Sequence, residues 1–228
     1  MKLGRESSKA RAAQGEEAHP LEGLRPVQIG TFQALPDVPW FANDAWHLIP
    51  VQAPDALTGT RGSLLRLCRY ITAWRLDFTF IHRAVFVITR VGDRPVSDQT
   101  RDELWSVFGV PVFELFVAGD GVILAYECEA HEGWHVNTRA AQFVKLRGEA
   151  HLVLRRLLPD GAPTAVGVGF TGAVTRQPCA CGLETERVVN LPSSEPDVEE
   201  CLEPVPMRRL SGRPMSARAD QEPRAMVG

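Results

Sequence analysis

The chain has 228 residues, of which 44% are hydrophobic and 23% charged, with a formal net charge of −3. That length supports one domain with a substantial core, and the composition is that of a globular chain in water. The small negative charge argues against a general nucleic-acid binder. No apolar run reaches the ~20 residues that cross a bilayer, and no apolar signal core follows the polar start, so a cytoplasmic location is expected.

Residues 1–23 are polar and rich in Ala, Glu, Lys and Arg, and are expected to be frayed or disordered. The folded part is expected to run from about 24 to 191 as a single domain. Residues 26–51 carry Pro36, Pro39 and Pro50 among Trp40, Phe41 and Trp46. They read as strand and loop, with one or two helical turns over Ala42 to Leu48. Thr58-Gly59-Thr60-Arg61-Gly62-Ser63 is the nearest thing to a phosphate-binding loop, but an ordinary helix-entry loop is the preferred reading.

Ser63 to Leu76 has Leu64, Leu67, Cys68, Ile71 and Trp74 on one helical face, and Ser63 is a candidate cap. Cys68 therefore belongs to the core. Ala84 to Thr89 is a β-branched run that reads as a buried strand. A second helix runs from its cap, Ser97, to about Phe108, with Gly109 after its end. Val110 to Val117 returns as a strand. Such a strand–helix–strand unit packs most simply as a parallel pair. From Gly121 onward the pattern changes to short strands, near 122–126, 134–137, 142–146, 149–155, 165–170, 172–175 and 186–191. Gly148, Asp160-Gly161, Gly169, Gly172 and Gly182 punctuate them. A twisted antiparallel region is expected there. From 192 onward, six prolines and few large apolar residues predict a disordered tail.

The five cysteines are Cys68, Cys128, Cys179, Cys181 and Cys201. An odd number without an export signal argues against a disulfide framework. Cys128 and His135 flank a short loop bent at Gly133, and Cys179-Ala180-Cys181-Gly182 lets one turn present two sulfurs. Three thiolates and an imidazole suit a tetrahedral zinc ion. Cys128, His135, Cys179 and Cys181 are thus the predicted ligands. His131 competes for the fourth place, but His135 is preferred because Trp134-His135-Val136 reads as a strand start. Four protein ligands leave no open position, so the zinc is expected to be structural. Arg176 or Arg187 is positioned in sequence to offset the thiolate charge. His47, His82 and His151 read as hydrogen-bonded core or edge residues. Glu127 and Glu129, on alternate faces of a strand, make a poor catalytic pair, and no catalytic residue is assigned.

Residues 84–191 resemble the late part of the N-terminal domain of phenylacetate–CoA ligase-like adenylate-forming enzymes, a group that includes the coenzyme F390 synthetase relatives. The resemblance rests on Pro95-Val96-Ser97-Asp98, on Phe108 to Phe116, and on Ala125-Tyr126-Glu127-Cys128-Glu129. It continues through Gly133-Trp134-His135-Val136, Gly148 to Leu154, Thr171 to Arg176 and Pro178 to Gly182. It implies a mixed α/β (α+β) fold, a partial adenylate-forming domain in which a parallel strand–helix–strand unit precedes a zinc-bearing antiparallel region. Some members hold zinc with the same Cys, His and Cys-x-Cys set. The family makes an acyl-adenylate from ATP and passes the acyl group to coenzyme A.

Key parts of that chemistry are missing here. After the strand at 112–116 the family's glutamate motif is replaced by Phe116-Val117-Ala118-Gly119-Asp120, and Asp120 fits an Asp-Gly turn. The ribose-binding aspartate is replaced by Ala173, which has no side-chain acceptor. No Ser/Thr/Gly-rich phosphate loop ending in lysine is present, and no lysine follows residue 191. The resemblance implies a zinc-stabilised, non-catalytic remnant acting as a binding or accessory protein. The alternative is a ligase component completed by a partner chain. A half-domain is expected to expose apolar sheet and hence to need a protein partner or a second copy.

Overall fold

The computed structural model describes residues 20–146, 151–157 and 164–189. The expectations for residues 1–19, for 147–150, for the Asp160-Gly161 turn, for Cys201 and for the tail from 190 onward lie outside these residues.

The chain opens with β1 (Pro26–Ile29) and the short β2 (Trp40–Phe41). A 3-10 segment, Trp46–Gln52, follows, somewhat later than the helical turns expected over Ala42 to Leu48. Next come β3 (Ala56–Thr60), α1 (Arg61–Trp74), β4 (Ala84–Arg90), α2 (Asp98–Phe108) and β5 (Val112–Val117). The later chain is all strand: β6 (Ile123–Glu127), β7 (Trp134–Val136), β8 (Ala141–Lys145), β9 (Leu152–Arg156), β10 (Thr164–Gly167), β11 (Ala173–Thr175) and β12 (Arg187–Val189).

Nine strands form one sheet in the order β11-β12-β7-β6-β5-β4-β3-β1-β2. From β2 to β5 every pairing is parallel, and from β5 to β11 every pairing is antiparallel. A separate antiparallel sheet has the order β10-β9-β8. The expected change of character near Gly121 is thus the point where the sheet switches from parallel to antiparallel. No helix among the described residues is long and apolar enough to cross a membrane.

Strand β4 shows why the parallel half is a core element. Val85 and Val87 join one hydrophobic cluster with Leu64, Leu67 and Ile71 of α1 and Leu104 of α2. Phe86 and Ile88, pointing the other way, cluster with Leu115, Val117, Leu21, Leu35 and Val38. This sheet face is covered by the segment that leads into and follows β1. The exposed apolar side chains include Trp40 of β2 and Val166 of β10, and also Leu48, Val51 and Trp74 outside the strands.

Two sequence readings need correction. Helix α1 starts earlier than expected, and its cap is Thr60, whose side chain accepts from Ser63 N. Ser63 lies inside the first turn, and Thr60 Oγ1 donates to its hydroxyl at 3.0 Å. The candidate phosphate loop is also mostly strand, since Thr58, Gly59 and Thr60 belong to β3. Gly59 is packed so tightly that a Cβ there would lie 2.9 Å from Ile29 Cγ1. The glycine lets β1 and β3 pair over Ile29, and it is not part of an open anion cradle. Helix α2 matches its signals: Ser97 caps it by accepting from Thr100 N, and Gly109 closes it at φ +65°.

Candidate metal centre

Strand β6 ends at Glu127, and the chain reverses over Cys128 to Gly133 before entering β7. Gly133 has φ +103°, and a Cβ there would sit 2.2 Å from Val188 O. The position thus excludes side chains on conformation and on space. On the far side, Gly182 at φ +90° closes a turn in which its N–H donates to Cys179 O at 2.9 Å. Leu183 O accepts from Cys179 N at 3.2 Å. Strand β12 pairs with β7, so the two loops meet at one edge of that pairing.

Cys128, His135, Cys179 and Cys181 converge there, with their four potential ligand atoms all within 4.8 Å of one another. Cys128 Sγ lies 3.6 Å from Cys179 Sγ, and Cys181 Sγ lies 3.4 Å from His135 Nε2. A tetrahedral ion with bonds of ~2.3 Å to sulfur and ~2.0 Å to nitrogen spaces its ligands roughly 3.5–3.8 Å apart. The spacing fits. This group can hold a metal ion.

The imidazole is set up for the same task. His135 is fully buried. Its Nδ1 is 2.6 Å from Thr185 Oγ1, which takes up that nitrogen and turns Nε2 toward the sulfurs. A metal-ligating histidine needs such an anchor on its other nitrogen. Burial first, and then the Arg187 charge, push the His135 pKa down to about 4, so the ring is neutral at pH 7. Burial pushes the Cys128 thiol up to about 12, and the neighbouring Cys179 and Cys181 thiols add to that effect. Burial also raises Cys181. Desolvated thiols this close ionise together only around a cation.

His131, the competing histidine, is placed elsewhere. It has φ +50°, its Nδ1 lies 2.9 Å from Glu127 Oε1, and its ring stacks on Phe113 at 5.3 Å. Of the two candidate arginines, Arg187 belongs to the centre. It is buried, and its Nη1 donates to Glu132 O at 3.1 Å and to Glu132 Oε2 at 3.0 Å. Arg176 is a surface residue that pairs with Glu186 at 3.3 Å. Cys68 is core as expected, with a thiol that burial raises to about 12. His47, His82 and His151 are all exposed, so none of them is a core residue. His82 still makes a local bond, its Nδ1 lying 2.8 Å from Phe80 O.

Beside the centre lies a buried polar network that the sequence reading missed. Glu114 Oε1 accepts from Thr89 Oγ1 and, at 3.0 Å, from Val96 N. Its Oε2 accepts from Trp134 Nε1 at 3.2 Å. Arg101 bridges the carboxylates, with Nη2 3.6 Å from Glu114 and Nη1 2.7 Å from Glu127. Burial outweighs Arg101 and the hydrogen bonds and pushes the Glu114 pKa up to about 7. The readable signal was one acid, Glu114, in the otherwise apolar Val112–Val117 strand. Asp98, Arg101, Trp105, Glu114, Glu127 and His131 are among the residues lining an adjoining cavity of about 760 Å³. Every carboxylate oxygen of Glu114 and Glu127 already accepts from a protein donor or faces the His131 ring nitrogen, so the network is a brace between α2 and the strands.

The positions relevant to nucleotide chemistry are also placed. Asp120 lies in the turn between β5 and β6, accepts from Val122 N at 3.4 Å and pairs with Arg156. Ala173 is the first residue of β11.

No protein-family model matches the sequence. No curated protein matches it either. Solved structures share its fold. A 2-hydroxyisobutyryl-CoA ligase in an open conformation, in complex with 2-HIB-AMP and CoA, superposes with a TM-score of 0.57 at 14% identity, covering 81% of this chain and 47% of the ligase. The same ligase in its thioesterification state gives 0.56 at 14% identity, covering 83% of this chain and 46% of the ligase. This chain shares the fold of part of that 2-hydroxyisobutyryl-CoA ligase and spans about half its length.

Proposed function

We propose that this chain is a zinc-stabilised, non-catalytic relative of the phenylacetate–CoA ligase-like adenylate-forming enzymes that serves as a binding or accessory protein. The observation that carries the zinc reading is the convergence of Cys128, His135, Cys179 and Cys181 within 4.8 Å. Three thiols and a neutral imidazole suit zinc, and four protein ligands make a closed, structural site. The ion would join the loop after β6 to the loop before β12, and its binding free energy would add to folding. The folded unit is taken to extend over about 24–191, and the protein to act in the cytoplasm with a protein partner or a second copy of itself.

The non-catalytic reading rests on side chains. Asp120, the one acid near the position of the family's glutamate, is engaged by Arg156 and by its own turn. Ala173 offers no acceptor for a ribose hydroxyl. Calorimetric titration with Mg-ATP tests this reading: no binding heat is expected, and micromolar affinity would overturn it. The other reading is a working part of a carboxylate–CoA ligase completed by further polypeptide, and it draws on the extent of the fold match. Pyrophosphate exchange with carboxylic acids, in the presence of candidate partner proteins, is the measurement that would establish it.

A further inference from the structure

We propose that Arg187 is the positioning residue of this centre: it clasps the two ligand-bearing loops together and supplies the charge that lets the thiolates keep the ion. The inference rests on the metal reading above and extends it to a residue that is not itself one of the four ligands.

Arg187 is paired with His135 across β12 and β7. Directly opposed residues of an antiparallel pair project to the same face of the sheet. Its guanidinium is therefore held on the side of the sheet that carries the imidazole. The side chain is 6% exposed. From there it reaches both loops. Nη1 donates to the carbonyl and to the carboxylate of Glu132, in the loop between Cys128 and His135. Nη2 donates to Gln177 O at 3.2 Å and to Pro178 O at 3.4 Å, immediately before Cys179. Glu132 completes the clasp. Its Oε2 also accepts from Ala180 N at 3.4 Å and lies 3.6 Å from Cys179 Sγ. One buried cation thus fixes the distance between the loops that carry all three cysteines.

Arg187 Nε is buried and has no hydrogen-bond partner among the described residues, the cysteine sulfurs included. The guanidinium therefore serves the centre through its two Nη groups, which hold the loops, and through its positive charge, which offsets the negative charge of a three-thiolate site. Lysine can supply the charge but not the fork that holds two loops at once.

The test uses the full chain loaded with zinc, with release to a colorimetric chelator followed in time, and a parallel cobalt(II) sample read by absorption. Removing an outer partner of this kind weakens a metal site by roughly 10- to 100-fold. Arg187→Met is expected to retain one ion per chain but to release it faster by about that factor. The sulfur-to-cobalt charge-transfer band should shift, a signature that mere loss of folding stability does not move. Arg187→Lys should restore the band partly and the release rate little. Glu132→Gln, altered at a half-exposed carboxylate, breaks the same clasp if Arg187→Met does not fold, and should accelerate release in the same direction. Arg176→Met, at the surface pair, should leave both readouts unchanged. Wild-type release rates and an unshifted band in both clasp variants would overturn the role of Arg187. A wild-type chain that takes up no zinc fails at the first step and overturns the metal reading together with the clasp.

Discussion

Replacing Glu114 with glutamine should remove much of the pH dependence of folding stability between pH 5 and pH 8. The Glu114 carboxyl is buried and its pKa is pushed up from 4.5 to about 7. The folded state therefore holds a proton on this group at pH values where the unfolded chain has already lost it. Stability from this source is fully present below the unfolded value near 4.5 and is lost as pH rises through about 7. At ~1.36 kcal/mol per pH decade, the ionised form costs roughly 3 kcal/mol above pH 7. Protonated glutamate and glutamine are close in shape, so Glu114→Gln should come within about 1 kcal/mol of wild type at pH 5. At pH 8 it should be the more stable protein by about 1–3 kcal/mol, the lower figure if the amide nitrogen is forced against Trp134 Nε1. Urea unfolding of both proteins at pH 5 and pH 8, each saturated with zinc, measures this directly. Parallel pH profiles for the two proteins would show that Arg101 at 3.6 Å and the hydrogen bonds already hold Glu114 ionised, and the reasoning from burial would be refuted.

Three further outcomes follow from single contacts. Gly133→Ala places a Cβ 2.2 Å from Val188 O at a backbone φ of +103°, and should lower stability by more than ~2 kcal/mol in chemical denaturation. An unchanged midpoint would mean that β12 is free to withdraw from the loop. Ser97→Ala removes the cap of α2 and should cost about 1 kcal/mol without changing metal content. Thr185→Val removes the hydroxyl 2.6 Å from His135 Nδ1, and should weaken metal affinity by roughly 10-fold with little change in the fold seen by circular dichroism.

The legible parts of this protein were those with local chemical signals. Ser97 and Gly109 bracket α2, and the β-branched run of β4 marks a buried strand. Cys-x-Cys-Gly announces a turn with two sulfurs, and Trp134-His135-Val136 separates His135 from His131 by strand character. What escaped depends on register between distant strands. Ala56–Thr60 is short, contains glycine and begins after Pro54 and Asp55, so it reads as loop until β1 and β4 pair on either side of it. The Glu114, Arg101 and Glu127 network exists because β5 pairs with β6 and α2 packs beside them, and no local spacing encodes that. Arg187 was one of two equal candidates in sequence. Only its pairing with His135 and its burial separate it from Arg176.

The central claim is that three sulfurs and one imidazole bind a single ion, and elemental analysis of the purified chain beside Cys179→Ser tests it most directly. One zinc per wild-type chain is expected, with loss of the metal and a lower melting temperature in the variant. Equal metal content and equal melting temperature in the two proteins would contradict it.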